Sequence, residues 1–387
     1  MTRVVVIDGC RTPHGALLGA LSDQSAVELG AASVRGLLDR TAVDPEAVDW
    51  AGLGNAIQAG VGQAPARQVV TEAGLPHGVA ATTINEASGS GLRALTLAVD
   101  RIEAGRASVA VAGGTESMSN APYLSTETRK GRRYGDVRLR DAMIHDGLWD
   151  LGYDEHMGAL TERLVDEADI SREAQDEYAL ESHRRAVAAI EDGSFEDEIV
   201  PVETGAGPVE VDEGPRPDTD LDRLGSLPPA FDPDGTITAG NASDLSDGAG
   251  ALLLASEDAD AVDGAEPMAE VVDYAVAYRD PQWFGKSVAD AVENLLDAND
   301  LTVDDVGFFE LNEAFAAQMV YVGDRLEIPR EKLNPLGGAI AYGHPIGASG
   351  GLLATTLVHA MVDEDVARGV VGMSVGGGGG IAVLLRR

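Results

Sequence analysis

The sequence predicts an α/β fold with a duplicated unit and a long insertion. Three observations carry this expectation. Short apolar, β-branched runs alternate with helical patterns, a glycine-bearing segment recurs near both ends, and a polar, turn-rich stretch lies between them.

Val4-Val5-Val6-Ile7-Asp8 reads as a buried strand, and Val109-Ala110-Val111-Ala112 reads as another. Helical patterns cover Ala26 to Asp39 and Leu92 to Glu103. Ala87-Ser88-Gly89-Ser90-Gly91-Leu92 leads into the second of these helices, and a strand ending in Ala112-Gly113-Gly114 follows. Ala348-Ser349-Gly350-Gly351-Leu352-Leu353 likewise leads into a helix, with Val370-Val371-Gly372-Met373-Ser374-Val375-Gly376 after it. The echo is weak by itself in a chain with 47 glycines, but it suggests a duplicated unit. From about Ser119 to Asn241 the chain is richer in Arg, Asp and Glu. This stretch holds a helix from Ser171 to Glu191 and is loop-like from Val202 to Asp234, where Pro, Gly and Asp abound. It reads as an insertion folded over the first half.

With 387 residues, 44% of them hydrophobic, the chain can build large cores and is not disordered. No stretch is long and apolar enough to span a bilayer, and the start lacks a signal-peptide core, so a soluble cytoplasmic protein is expected. The single cysteine, Cys10, excludes an internal disulfide and a cysteine-based metal cluster. Acidic residues number 65 against 28 basic, a net charge of −37, and only Lys130, Lys286 and Lys332 are lysines. Such a charge repels nucleic acid. It fits either an acidic surface kept hydrated in a salt-rich cytosol or attraction to a basic partner, and its spread along the chain favours the first.

Four segments offer chemistry. Ser88 sits among small residues where a helix begins, so it meets free N–H groups and the positive end of the dipole. It can serve as a nucleophile there, or merely as an N-cap. His344 lies between Gly343 and Pro345 in a glycine-rich loop before a helix, where a ring can be held rigidly for proton transfer. Taken alone, a histidine is more often structural. Asn312-Glu313-Ala314-Phe315-Ala316 by itself would pass for an ordinary helix start. Ser374-Val375 precedes five consecutive glycines, which allow close backbone approach. No Lys-Ser/Thr follows them, so this is not a phosphate loop.

Together these segments closely resemble the thiolases, which move acyl groups between coenzyme A thioesters. The likeness runs from Arg11-Thr12-Pro13 to Gly380 and takes in Thr115 to Leu124, Met143 to Leu148, His156-Met157-Gly158 and Thr238 to Ser243. The resemblance implies two related α/β halves, residues 1–118 with 243–265 and residues 266–387, in a five-layer α-β-α-β-α core. Residues 119–242 would form a loop domain. It further implies Ser88 as acyl acceptor, His344 as its base and Asn312 as holder of a water in an oxyanion site. Ser374 would take the place of a second catalytic residue, and the Ser88 and Gly376 N–H groups would form the other oxyanion hole. His156, Met157, Arg216, Ser243 and Phe315 would contact the acyl-CoA. Coenzyme A thioesters are then substrates, with no metal or organic cofactor. The family forms dimers, commonly paired into tetramers, and some archaeal members work with a small OB-fold or zinc-ribbon subunit.

The chain departs from the family at both cysteine positions, which here are Ser88 and Ser374. Serine must lose its proton to a base during attack, and a serine hydroxyl is a poor base toward C–H. The α-proton could pass to His344, His156 or an ordered water. A second departure is Tyr278-Arg279-Asp280-Pro281-Gln282-Trp283-Phe284-Gly285, where the family usually has Met-Gly-x-Gly-Pro. Bulky Trp283 and Phe284 there unsettle any inherited chain-length preference. Three functions remain compatible with this sequence. They are an active thiolase acylated on Ser88, an acyl-CoA-binding scaffold, and a chain whose cysteines were exchanged for serine to trap a complex.

Overall fold

A computed structural model describes residues 2–41 and 43–387. In chain order the principal elements of the first half are β1 (Val4–Arg11), α1 (Ala26–Thr41), β2 (Trp50–Gly54), α2 (Pro65–Glu72), β3 (Ala80–Ile84), α3 (Ser90–Glu103) and β4 (Val109–Ser117). Then come α4 (Met157–Ala168), α5 (Arg172–Glu191) and β5 (Ser246–Ser256). The second half holds β6 (Ala269–Tyr278), α6 (Ser287–Ala298), β7 (Phe308–Leu311), α7 (Ala316–Leu326), α8 (Ser349–Asp363), β8 (Arg368–Val375) and β9 (Gly379–Arg386).

The strands run in the order β7-β8-β9-β6-β1-β5-β4-β2-β3, with the short strand Gly15–Ala16 beside β5. In the first half β2 lies parallel between β3 and β4, and β5 is antiparallel to β4 and β1. The second half repeats this, with β7 parallel to β8 and β9 antiparallel to β8 and β6. Its counterpart of β3 shrinks to one parallel bridge, Phe309 to Leu333. Val4–Val6 pairs antiparallel with Ala269–Val271, so the two half-sheets are hydrogen-bonded to each other.

Three apolar clusters make the layers. Residues of α1 and α2 cover the outer face of the first half-sheet, among them Val34, Leu37 and Val69 against Val111 and Leu253. Residues of α6 and α7 cover the second, among them Val292 and Met319 against Leu311 and Leu384. Between the half-sheets lie α3 and α8, with Leu92, Leu95, Leu357 and Met361 packed on residues of both. The arrangement is therefore α-β-α-β-α. The recurrent glycines explain how the central helices meet. A Cβ on Gly91 would lie 2.7 Å from Gly351 N, and one on Gly350 only 2.2 Å from Leu92 N. Backbone meets backbone there, and the loops carrying Ser88 and His344 arrive side by side.

The expected strands and helices are present, and all but α5, which starts at Arg172 with Ser171 as its cap, run longer. β1 and β4 run on through Arg11 and through Thr115, Glu116 and Ser117, all buried. Polar residues disguised these strand ends, because burial there is matched by internal partners rather than by apolar character. The insertion is a correction. Its helices lie over the second half, not the first. Tyr178, Ala179 and Leu180 of α5 pack with Val288, Phe309 and Met319, and Leu160 and Leu164 of α4 with Phe284 and Phe315. The reason is where the apolar partners are, since α6 and α7 leave a face that α4 and α5 complete. Two stretches of the insertion do lie on the first half as expected: the segment around Ala121, Leu124, Met143 and Leu148 packs near Ile57 and Met118, and Val200, Val202 and Val209 pack on Leu37, Leu21 and Leu29. Among the described residues no helix is long and apolar enough to cross a membrane.

Candidate active site

Ser88 lies in a tight turn after β3. Its neighbour Ala87 takes φ of +45°, a left-handed conformation that costs energy for a residue with a Cβ. Ser90 closes this turn, since its hydroxyl accepts from Glu86 N at 2.9 Å and donates to Ala87 O at 2.5 Å. Helix α3 starts at Ser90 with no side-chain cap from its N-cap residue, Gly89. Ser88 is thus free of the N-cap duty that its sequence position allowed. Its Oγ lies 3.0 Å from His344 Nε2.

The His344 loop is clamped from several sides. His344 N donates to Asp244 O at 2.9 Å. Buried Glu116 accepts from Gly347 N, Ala56 N and Asn55 Nδ2, tying the loop to the end of β2. Buried Glu313 accepts from Tyr178 Oη, Ser182 Oγ, Asn334 Nδ2 and Ile340 N, tying α5 and the preceding loop to the end of β7. His344 Nδ1 is 2.5 Å from Ser349 Oγ, and that hydroxyl donates to Pro345 O at 3.0 Å. Ser349 is therefore the acceptor of Nδ1–H, which leaves Nε2 with a free lone pair facing Ser88. Burial, with His14 adding to it, lowers the His344 pKa to about 4, so the ring is neutral and able to accept a proton at pH 7.

Asn312 Nδ2 stands 3.4 Å from the same Nε2. Among the described residues Ser374 makes no hydrogen bond to His344. Its Oγ accepts from Gln318 Nε2 at 2.6 Å, so its own proton is free to point into the cavity. Gly376 sits beside the Ser88 turn, where a Cβ on it would lie 3.5 Å from that of Ala87.

These groups open into a cavity of about 290 Å³. Its wall includes Ser88, His344, Ser374 and Gly376, together with His156, Met157, Ser243 and Phe315. His156 stacks on Phe231 at 4.7 Å between centroids, and its Nδ1 accepts from Gly158 N at 3.0 Å as the N-cap of α4. That fixes its proton on Nε2, making it a donor rather than a base.

Comparison with known sequences decides the family. Residues 4–258 match the thiolase N-terminal domain and residues 265–387 the thiolase C-terminal domain. The chain belongs to the thiolase family. It is 44% identical over the full length of both chains to a probable acetyl-CoA acetyltransferase of Escherichia coli strain K12. It is also 44% identical over both full lengths to an acetyl-CoA acetyltransferase of Pseudomonas aeruginosa. The crystal structure of the Bacillus anthracis acetyl-CoA acetyltransferase superposes with a TM-score of 0.97 at 38% identity, covering 100% of this chain and 99% of that one.

Two of this thiolase's expected site residues lie outside the cavity wall. Asn312 stands behind His344, and Arg216 is half exposed and pairs at 2.8 Å with Asp244, whose residue does line the cavity. Phe284 lines the cavity, whereas Trp283 lies elsewhere, under Lys286 Nζ at 4.5 Å. Cys10 is buried, donates to Ser33 O and has its thiol pushed up to about 12 by burial, so this thiolase has no reactive thiol there. Three residues with a part in the site went unsingled in the sequence. They are Ser349, Gln318 and Phe231. Gln318 occupies the first turn of α7, where a polar residue looks like ordinary helix surface, yet it is fully buried. Among the described residues no group of His, Cys, Asp and Glu is arranged to hold a metal.

Proposed function

We propose that this thiolase condenses two acetyl-CoA molecules to acetoacetyl-CoA and coenzyme A, and runs the reverse thiolysis, through an acyl-Ser88 intermediate. The observation that carries this is Ser88 Oγ at 3.0 Å from the unprotonated nitrogen of a buried, neutral His344. The names of the full-length relatives support the substrate.

The proton balance closes on one base. In the first step Ser88 Oγ attacks the thioester carbonyl as His344 Nε2 takes its proton. The C–S bond then breaks, and His344 returns that proton to the departing coenzyme A sulfur. In the second step His344 Nε2 takes the α-proton of the next acetyl-CoA. The resulting carbon nucleophile attacks the acyl carbonyl, a C–C bond forms, and the bond to Ser88 breaks. The Ser88 alkoxide recovers the proton from His344. Ser374 is then a hydrogen-bond donor to substrate oxygen or sulfur rather than a base. In this reading the N–H groups of Ser88 and Gly376, with Asn312, stabilise the oxyanions. Bond and proton counts require no metal or organic cofactor.

The acidic, lysine-poor composition supports work in a salt-rich cytoplasm, and residues 119–242 as a lid-like domain over the acyl-CoA site belong to the same reading. So does a homo-oligomer, whether dimer or tetramer, with or without a small partner subunit.

Incubation with acetoacetyl-CoA and coenzyme A tests it. Thiol consumption and an acetylated Ser88 peptide are expected, and both vanish in Ser88→Ala. Absence of both in the parent chain leaves only an acyl-CoA-binding protein or a trapped site. A Ser88→Ala variant as active as the parent removes Ser88 from the mechanism.

A further inference from the structure

The acyl-CoA cavity carries a charge of the same sign as its proposed substrate. Among the described residues on its wall, Asp244 is the one whose side chain is ionised at neutral pH; burial lowers the pKa of His344 and His156, and the rest are uncharged. Coenzyme A is an anion whose charge sits on the phosphates of its nucleotide end, with none on the pantetheine arm. Its sulfur end has to reach Ser88 and buried His344, so the phosphates lie toward solvent. On that solvent side Arg216 Nη2 donates to Asp244 Oδ2 at 2.8 Å, with the two side chains 56% and 44% exposed.

Asp244 cannot swing away from the wall. Ser243 N donates to Ala314 O at 3.0 Å and His344 N donates to Asp244 O at 2.9 Å, so the chain is pinned on both sides of its Cα. Arg216 belongs to an irregular loop, where its N donates to His183 Nδ1 at 3.3 Å. That histidine is neutral, because burial and then Arg216 lower its pKa to about 4. The nearby Asp218 carboxylate is taken by Arg223. Asp244 is therefore the carboxylate that faces the Arg216 guanidinium.

We propose that Asp244 is a specificity-determining residue whose carboxylate, at the mouth of the acyl-CoA cavity, cancels the charge of Arg216 and weakens the hold on the phosphate-bearing end of coenzyme A. Recognition then falls to the acyl group and the pantetheine arm, and pantetheine thioesters without the nucleotide are substrates too. A guanidinium beside a carboxylate presents little net field to a phosphate, and the fixed carboxylate repels it directly. At an exposed rim both effects are modest and screened by salt, so the expected change is a few-fold one.

Asp244→Asn removes the charge at constant size and keeps the backbone carbonyl that holds His344. At 0.1 M potassium chloride it is expected to lower KM for acetyl-CoA about three- to tenfold. At 1 M, where the screening length falls from about 10 Å to about 3 Å, the two KM values are expected to agree within about twofold. KM for S-acetylpantetheine is expected to move by less than about twofold at either salt. Arg216→Gln is expected to raise KM for acetyl-CoA more in the Asp244→Asn background than in the parent, because the cation is unpaired there. An unchanged or raised KM for acetyl-CoA, an equal fall for S-acetylpantetheine, or additive effects of the two substitutions overturns the proposal.

The proposal rests on the acyl-CoA reading of this cavity, so coenzyme A and pantetheine are also titrated calorimetrically without turnover. Normal acylation of Ser88 with no change in coenzyme A affinity refutes the proposal alone. Tighter coenzyme A binding by Asp244→Asn, with Ser88 never acylated in the parent, instead refutes the acyl-Ser88 mechanism alone.

Discussion

Replacing Ser349 by alanine isolates what orients the His344 ring. Ser349 Oγ is the acceptor for His344 Nδ1–H at 2.5 Å, in a site where water does not substitute freely because both residues are buried. Its loss leaves a buried N–H without a partner, which costs about 1–3 kcal/mol. The ring can avoid that cost by moving its proton to Nε2, but then no lone pair faces Ser88. Either way the reactive tautomer is disfavoured by about that amount, and acylation should slow by roughly 5- to 150-fold. Substrate affinity should hold, because Ser349 does not line the acyl-CoA cavity. The fold should lose about that same 1–3 kcal/mol and no more, since Pro345 O still accepts from Ala348 N and Ser349 N. Rapid mixing with acetyl-CoA, followed by coenzyme A release and the mass of the Ser88 peptide, measures the acylation rate directly. A Ser349→Ala rate within twofold of the parent would refute the assigned tautomer.

Three further outcomes are expected. The acid limb of the acylation rate should lie near pH 4 rather than 6.5, because burial keeps His344 neutral down to about that value and protonation below it removes the base; a limb at 6.5 in kcat/KM against pH contradicts this. Gly350→Ala puts a Cβ within 2.2 Å of Leu92 N and should destabilise the chain by about 1–3 kcal/mol or more, read as a fall in thermal midpoint. Gly225→Ala, with nothing near its Cβ, should not lower it, and equal effects of the two would undo the close-approach argument. With a net charge of −37, the midpoint should rise by several degrees as potassium chloride goes from 0.1 M to 1 M, where the screening length falls from about 10 Å to about 3 Å; a flat response would show that self-repulsion does not limit stability.

What the residues disclosed in advance follows from how far each signal is local. β1, α1, α3 and α5 were readable because apolar spacing and a Ser171 cap act within one element. The echo around Gly91 and Gly350 marked the duplicated unit, and its geometric meaning is a contact between two helices far apart in sequence. The far ends of β1 and β4 were hidden because the acidic partners of Arg11 and the donors to Glu116 are residues remote in the chain. The resting place of the insertion's helices was misread for the same reason, since Tyr178 and Leu180 show an apolar face without naming what it meets. Asn312 was recognised from its motif, but its station behind His344 depends on the β7 register. Nothing in a lone Gln318 announces that it will hold Ser374.

In the proposed mechanism, Ser88 and Ser374 look like losses only if each must do a thiol's task. A thiolate carries its negative charge before attack, whereas Ser88 needs a base at the moment of attack. In that mechanism His344 supplies one, since its neutral form persists to about pH 4 and its lone pair already faces the hydroxyl. Ser374 needs no basicity if His344 also takes the α-proton, because the proton removed in that step is the one Ser88 must regain. What remains to Ser374 is donation, and the Gln318 N–H directs it there by occupying the acceptor side of its oxygen. The demand therefore shifts from a second base to the precision with which one histidine is held. Glu116, Glu313, Asp244 and Ser349 meet that demand by fixing the His344 loop and ring from four sides.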